Sequence, residues 1–173
     1  FLDKTPAYAL VLPFLAELYP HAKYVVLTRH PLAVFSSYAN SFYAGDWQAA
    51  HAFNPVVERY VPAMARFLEE RPAPLVQVRY EEVVADPEGQ LERVFAYLGL
   101  ENDPDAVNYQ KTEMKEGMGD PIGVQKHSRP KAGGEHKWAE ELAADPAKRA
   151  LAERMIAQLT DADLAAWGYD RDS

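Results

Sequence analysis

In "VVLTRHPLAVFSSY" (25–38), Arg29 stands eight residues before Ser37, with Ser36 as its neighbour. A guanidinium offers a planar fork of donors suited to phosphate, and a hydroxyl adds a donor from a second direction. A second cationic stretch, "HSRPKAGGEHKW" (127–138), joins Arg129 and Lys131 to Gly133 and Gly134. Glycines there would let backbone N–H groups approach an anion while the cations balance its charge. Plainer roles fit the same residues: Arg29 as a cap on a carboxylate or helix end, Ser37 as a small packing residue, the lysines as a solvated loop. Other chemistries find little support. The five histidines show no i,i+4 pairing and no carboxylate at ligand spacing, so no metal site is expected. The chain has no cysteine, which excludes disulfides, zinc–thiolate sites and a cysteine nucleophile, and it has no G-x-S-x-G elbow.

These residues need elements to hold them. "KYVVLT" (23–28) is a short β-branched run with the character of a buried strand, and "PLVQVRY" (74–80) is a second. Pro31 suits the first position of a helix running to about 44, so Arg29 falls at the carboxyl end of a strand and Ser37 two turns into the next helix. Ligands of open α/β sheets sit at that end, where helix N-termini point free N–H groups. On a helical wheel Pro31, Val34, Phe35, Tyr38 and Phe42 share a bulky arc expected to face the core, while Ala33, Ser37, Asn40 and Ser41 share a small one expected to leave room. Further helices are expected over about 8–19, 54–70, 137–144 and 146–159, and one within 86–100 with Asp86 as N-cap and Gly99 as its stop. Helices between strands imply parallel pairing, hence an α/β domain with a parallel sheet flanked by helices. Residues 108–136, rich in Gly, Pro and Lys, read as one long irregular loop, a length that usually marks function.

Composition sets the outer bounds. The 173 residues fit one domain, and 48% hydrophobic with 25% charged residues is ordinary globular usage. A net charge of −8 argues against sequence-independent nucleic-acid binding, so any anion must be held by a local site. No apolar run approaches the roughly 20 residues of a membrane span, and no secretory signal is seen at Phe1. The lack of cysteine is compatible with a reducing, cytoplasmic location.

"DKTPAY" (3–8), "YPHAKYVVLTRHPLAVFSSY" (19–38) and "VRYEEVVADPEGQLERVFAYLGL" (78–100), in this order and separation, resemble the sulfotransferases that use 3′-phosphoadenosine-5′-phosphosulfate (PAPS). The resemblance implies a P-loop NTPase-like sulfotransferase fold and transfer of a sulfuryl group from PAPS to an acceptor hydroxyl or amine, leaving adenosine 3′,5′-bisphosphate (PAP). It implies that Arg29 and Ser37 bind the donor's 3′-phosphate, that Tyr80 and Thr112 lie near the adenine, and that the loop with Lys131 and Gly133 forms a second 3′-phosphate element before Trp138. Lys-Ala-Gly replaces the family's usual Arg-Lys-Gly there, so Arg129 is a second source of charge. Lys4 corresponds to a lysine near the transferring group, and Asp3 is a candidate acceptor-side base or a cap on the turn continued by Pro6. Glu81 and Glu82 are read as bracing the segment that follows.

One family element is absent: no glycine precedes Gly45, so nothing has the form of the 5′-phosphosulfate loop. Residues 1–173 are therefore expected to be an N-terminally truncated sulfotransferase domain, with little or no activity alone. A P-loop nucleotide kinase-like enzyme and a non-catalytic binding domain derived from a sulfotransferase are the competing readings. The acceptor itself is not identified by any motif.

Overall fold

Two parallel strands, β1 (Tyr24–Thr28) and β2 (Leu75–Arg79), pair in register from Tyr24 opposite Leu75 to Thr28 opposite Arg79. The structure, a computed structural model, describes residues 2–108, 128–130, 134 and 136–172. Thr112, Lys131, Gly133 and most of the 108–136 loop lie outside the described residues. Around the strands run a 3₁₀ turn (Pro6–Val11) and nine described α-helices: α1 (Leu12–Leu18), α2 (Pro31–Phe42), α3 (Trp47–Phe53), α4 (Val56–Glu70), α5 (Tyr80–Ala85), α6 (Pro87–Leu98), α7 (Lys137–Ala144), α8 (Pro146–Ala157) and α9 (Asp161–Trp167). The α/β architecture read from the alternation of strands and helices is present. Among the described residues no helix is long and apolar enough to cross a membrane.

Local chemistry explains most boundaries. Pro31 and Pro87 sit in the first turns of α2 and α6, where a missing N–H costs nothing. Asp86 accepts the Gly89 N–H at the start of α6, and Gly99, at φ 73°, ends it in the left-handed region that a side chain disfavours. Lys23 then donates to the Tyr97 and Leu98 carbonyls, placing a cation on the negative end of α6.

Three helices were not expected from periodicity. The seven-residue α3 is started by Asp46, whose carboxylate accepts the Ala49 N–H. At the other end of the chain, α9 carries a reciprocal capping box between Thr160 and Asp163 and stops at Gly168, φ 95°. The six-residue α5 begins directly where β2 ends and bends the chain across the site. All three are too short for an apolar period to stand out.

The face of α2 also differs from the helical wheel. Its buried residues are Pro31, Leu32, Ala33, Phe35, Ser36 and Ala39, so Pro31 and Phe35 of the expected arc face the core, whereas Phe42 is 74% exposed and Val34 is exposed as well. The reason lies in its neighbours: α4 and α7 approach the Leu32–Phe35–Ala39 side. Packing overrode side-chain size. Phe35 and Ala39 join Trp47, Val57, Met155 and Leu164 in the main core between helices, and a second cluster sets Val26 and Leu75 against Phe67 and Leu68 of α4.

The two sheet edges are unlike. The Tyr24 N–H donates to Pro74 O, so by parallel alternation the Val25 and Leu27 backbone groups point away from β2, and the Leu75 and Gln77 carbonyls point away from β1. Arg71 and Arg93 donate to those two carbonyls, which closes the outer edge of β2. Among the described residues no strand pairs with the outer edge of β1, and the Val25 and Leu27 side chains are 44% and 56% exposed.

Candidate active site

The carboxyl ends of β1 and β2 lie side by side, and the residues that follow them form one connected group. Arg29 leaves β1 half-buried and lays its guanidinium over the Tyr80 ring, 4.3 Å from the ring centre. Such a cation–π contact contributes roughly 0.5–2 kcal/mol and, more to the point, fixes the plane of the guanidinium. Its Nη2 donates to the Gly134 carbonyl at 3.4 Å, while its Nε is buried with no hydrogen-bond partner among the described residues. A buried, unpartnered N–H on a permanent cation is costly unless an acceptor arrives. The Arg29 carbonyl accepts the Trp167 indole N–H at 2.8 Å, and Gln77 donates to the Ala166 and Trp167 carbonyls, so α9 locks both strand ends from behind.

His30 is the N-cap residue of α2, as its place before Pro31 suggests. Its backbone N–H donates to Glu81 at 3.2 Å, and its ring stacks on Trp138, 4.1 Å away and tilted by only 8°. Glu81 also accepts the Tyr169 hydroxyl, so it braces the strand end from two sides. Burial, and then the Glu81 carboxylate, push the Tyr169 phenol well above its usual range and keep it a proton donor. Arg79 stacks over the other face of this arrangement, 4.6 Å from the Tyr169 ring centre.

The two serines separate cleanly. Ser36 is buried and donates to Glu141 at 3.0 Å, while Ser37 is exposed on α2. Glu141 was not among the residues singled out in the sequence, because a mid-helix glutamate carries no local signal. Asn40 also donates to it at 2.7 Å, Trp47 Nε1 at 3.2 Å and Lys148 Nζ at 3.2 Å. Burial raises the Glu141 pKa, but the bonds from Asn40, Lys148 and Ser36 and the lysine charge outweigh it and hold the carboxyl below its ordinary range.

Of the residues expected to act, Arg29 and Tyr80 are in direct contact, and the Gly134 carbonyl reaches the same guanidinium. Arg129 instead pairs with Glu88 in the first turn of α6. Asp3 accepts the Thr5 hydroxyl at 2.9 Å, a brace for the turn entered through Pro6, and Lys4 is exposed. Neither Asp3 nor Lys4 hydrogen-bonds to the strand-end group among the described residues.

Comparison with known proteins settles what kind of molecule carries this arrangement. The profile of the sulfotransferase family matches residues 1–105, which include both strands, Arg29, Ser37 and Tyr80. The chain belongs to the sulfotransferase family. Over 108 residues it is 31% identical to omega-hydroxy-beta-dihydromenaquinone-9 sulfotransferase Stf3 of Mycobacterium tuberculosis, covering 56% of this chain and 28% of that protein. The nodulation protein NoeE of Sinorhizobium fredii is 27% identical over 139 residues, or 66% of this chain and 32% of NoeE. Among solved structures, the sulfotransferase domain of the Synechococcus PCC 7002 olefin synthase superposes with a TM-score of 0.63 at 26% identity, over 79% of this chain and 50% of that domain. The sulfotransferase domain of the curacin biosynthetic pathway, at 23% identity and a TM-score of 0.61, shares the fold over 79% of this chain and 54% of its own. This sulfotransferase chain thus spans less than a third of the curated relatives and about half of the structural ones.

Proposed function

We propose that the protein transfers a sulfuryl group from PAPS to an acceptor hydroxyl or amine, and that this chain supplies the half of the donor site that holds the 3′-phosphate. The observation that carries the proposal is Arg29: a guanidinium at the end of a parallel strand, held flat on Tyr80, with a buried N–H still in need of an acceptor. A phosphate oxygen would meet that need, and the exposed Ser37 hydroxyl is the second donor on the following helix. Tyr80 then serves the donor as the platform of Arg29 as well as in the place near the adenine that the family resemblance gives it. The Arg129–Glu88 pair leaves Lys131, with Gly133, as the preferred cationic element from the following segment, and Thr112 keeps its assignment near the adenine. The PAP product would stay on the same residues until it leaves.

Chemically, the acceptor oxygen or nitrogen attacks sulfur while the bond from sulfur to the bridging phosphate oxygen breaks, its electron pair leaving with PAP. The acceptor's proton passes to a base, for which Asp3 is the candidate within this chain, and Lys4 is assigned to offset charge on the departing phosphate. Such transfer depends on in-line positioning and charge stabilisation and requires no metal in this scheme. The mycobacterial relative is named for an ω-hydroxy compound, which supports a hydroxyl acceptor. The 5′-phosphosulfate loop belongs, on this reading, to a further strand–loop–helix unit paired with the open edge of β1, and a cytoplasmic location is part of the same proposal.

Incubating the complete protein with PAPS labelled in sulfur and a panel of alcohols and amines tests this. Acceptor-dependent release of PAP with label in the acceptor is expected. PAP binding without turnover on any acceptor would favour a non-catalytic binding domain, and neither binding nor turnover would exclude the proposed activity.

A further inference from the structure

We infer that Glu141 is a positioning residue for the phosphate site, the latch that holds α7, and with it Gly134, in register with Arg29. This rests on the donor-site reading above but concerns a residue that touches no proposed ligand group. No residue of α7 is fully buried, so the helix has little apolar area of its own to fix its place. Its inward face carries Trp138, Glu141 and Leu142, with Trp138 and Glu141 three residues apart on one side. Trp138 stacks on His30, next to Arg29, and Glu141 reaches one turn farther along.

The carboxylate is divided between two sets of donors. Oε1 accepts from Ser36 and Asn40, both on α2, and Oε2 accepts from Trp47 on α3 and Lys148 on α8. One side chain therefore ties α7 to three other helices. Because α2 also carries Ser37 and starts at His30, the latch sets the distance between the helix bearing the hydroxyl and the segment whose Gly134 carbonyl meets Arg29. A neutral amide cannot replace it: whichever way a glutamine is turned, its NH₂ faces one pair of donors.

The test is a double-mutant cycle on the affinity of the complete protein for PAP, read by calorimetry, with Glu141→Gln and Arg29→Ala. Glu141→Gln is expected to weaken binding about tenfold when Arg29 is present and to add little when Arg29 is already alanine, because coupled residues are non-additive. Equal losses in the two backgrounds, or undiminished affinity in Glu141→Gln, would overturn the inference while leaving the donor site intact. Should Glu141→Gln fail to fold, Asn40→Leu removes the shortest bond of the latch from an exposed position and is held to the same criterion. If the unaltered protein binds no PAP, it is the donor-site reading that fails. The latch is then judged by amide exchange: faster exchange at Ala139 and Glu140, whose N–H groups bond to the His136 carbonyl, relative to α4 in the variant sustains it, and unchanged exchange refutes it.

Discussion

Arg29 joins a strand end, an aromatic ring, an indole and a carbonyl from distant parts of the chain. Its position after a β-branched run was legible, since strand ends of parallel sheets are where charged residues meet ligands. What the sequence could not supply was its setting: the Tyr80 ring beneath it, the Trp167 indole on its carbonyl and the Gly134 oxygen at its tip come from positions 51, 138 and 105 residues away. The choice between the adjacent serines shows the same limit. Spacing favoured Ser37, and the structure adds that Ser36 is occupied by Glu141, a residue with no local signature. Ser37→Ala is accordingly expected to weaken PAP binding by about 1.5–3 kcal/mol, the range for a hydrogen bond to a charged group. Ser36→Ala, which removes one of the four bonds to Glu141, should instead lower thermal stability by about 1 kcal/mol and weaken PAP binding clearly less than Ser37→Ala does, measured by melting and calorimetry on the same samples. Equal effects on binding would move the phosphate contact to the other serine.

Among the elements, those with strong local grammar were the readable ones. Strands of β-branched residues and helices opened by Pro31 or Asp86–Pro87 appear where the sequence puts them. The short helices α3, α5 and α9 escaped because six or seven residues give no period, although the Thr160–Asp163 capping box marks the start of α9 in hindsight. The buried face of α2 follows the expected arc at Pro31, Phe35 and Tyr38 and departs from it at Val34 and Phe42: Phe42 is large but lies at the helix end, while the smaller Ser36 and Ala39 face the neighbouring helices. The open edge of β1 makes a claim of its own. Parallel strands are normally covered on both sides, and an unpaired edge with exposed Val25 and Leu27 is an invitation to pair. In the complete protein the Val25 and Leu27 amides should exchange as slowly as those of Val26 and Thr28; exchange at the rate of a free edge would mean that no strand sits there.

For the molecule as a whole, an acidic chain holds a poly-anionic donor only if its cations are concentrated, and the net charge of −8 makes that concentration visible. Arg29 and Arg79 stand at the ends of adjacent strands, each stacked on a tyrosine. The chain belongs to the sulfotransferase family and spans about half of its structural relatives, so the proposed 3′-phosphate site accounts for only part of a donor site. If Arg29 anchors the 3′-phosphate, titrating PAP into the complete protein and its Arg29→Ala variant will separate the two. The unaltered protein is expected to bind, and the variant to lose about 1.5–3 kcal/mol, tenfold or more. Equal affinity in the two proteins would contradict it.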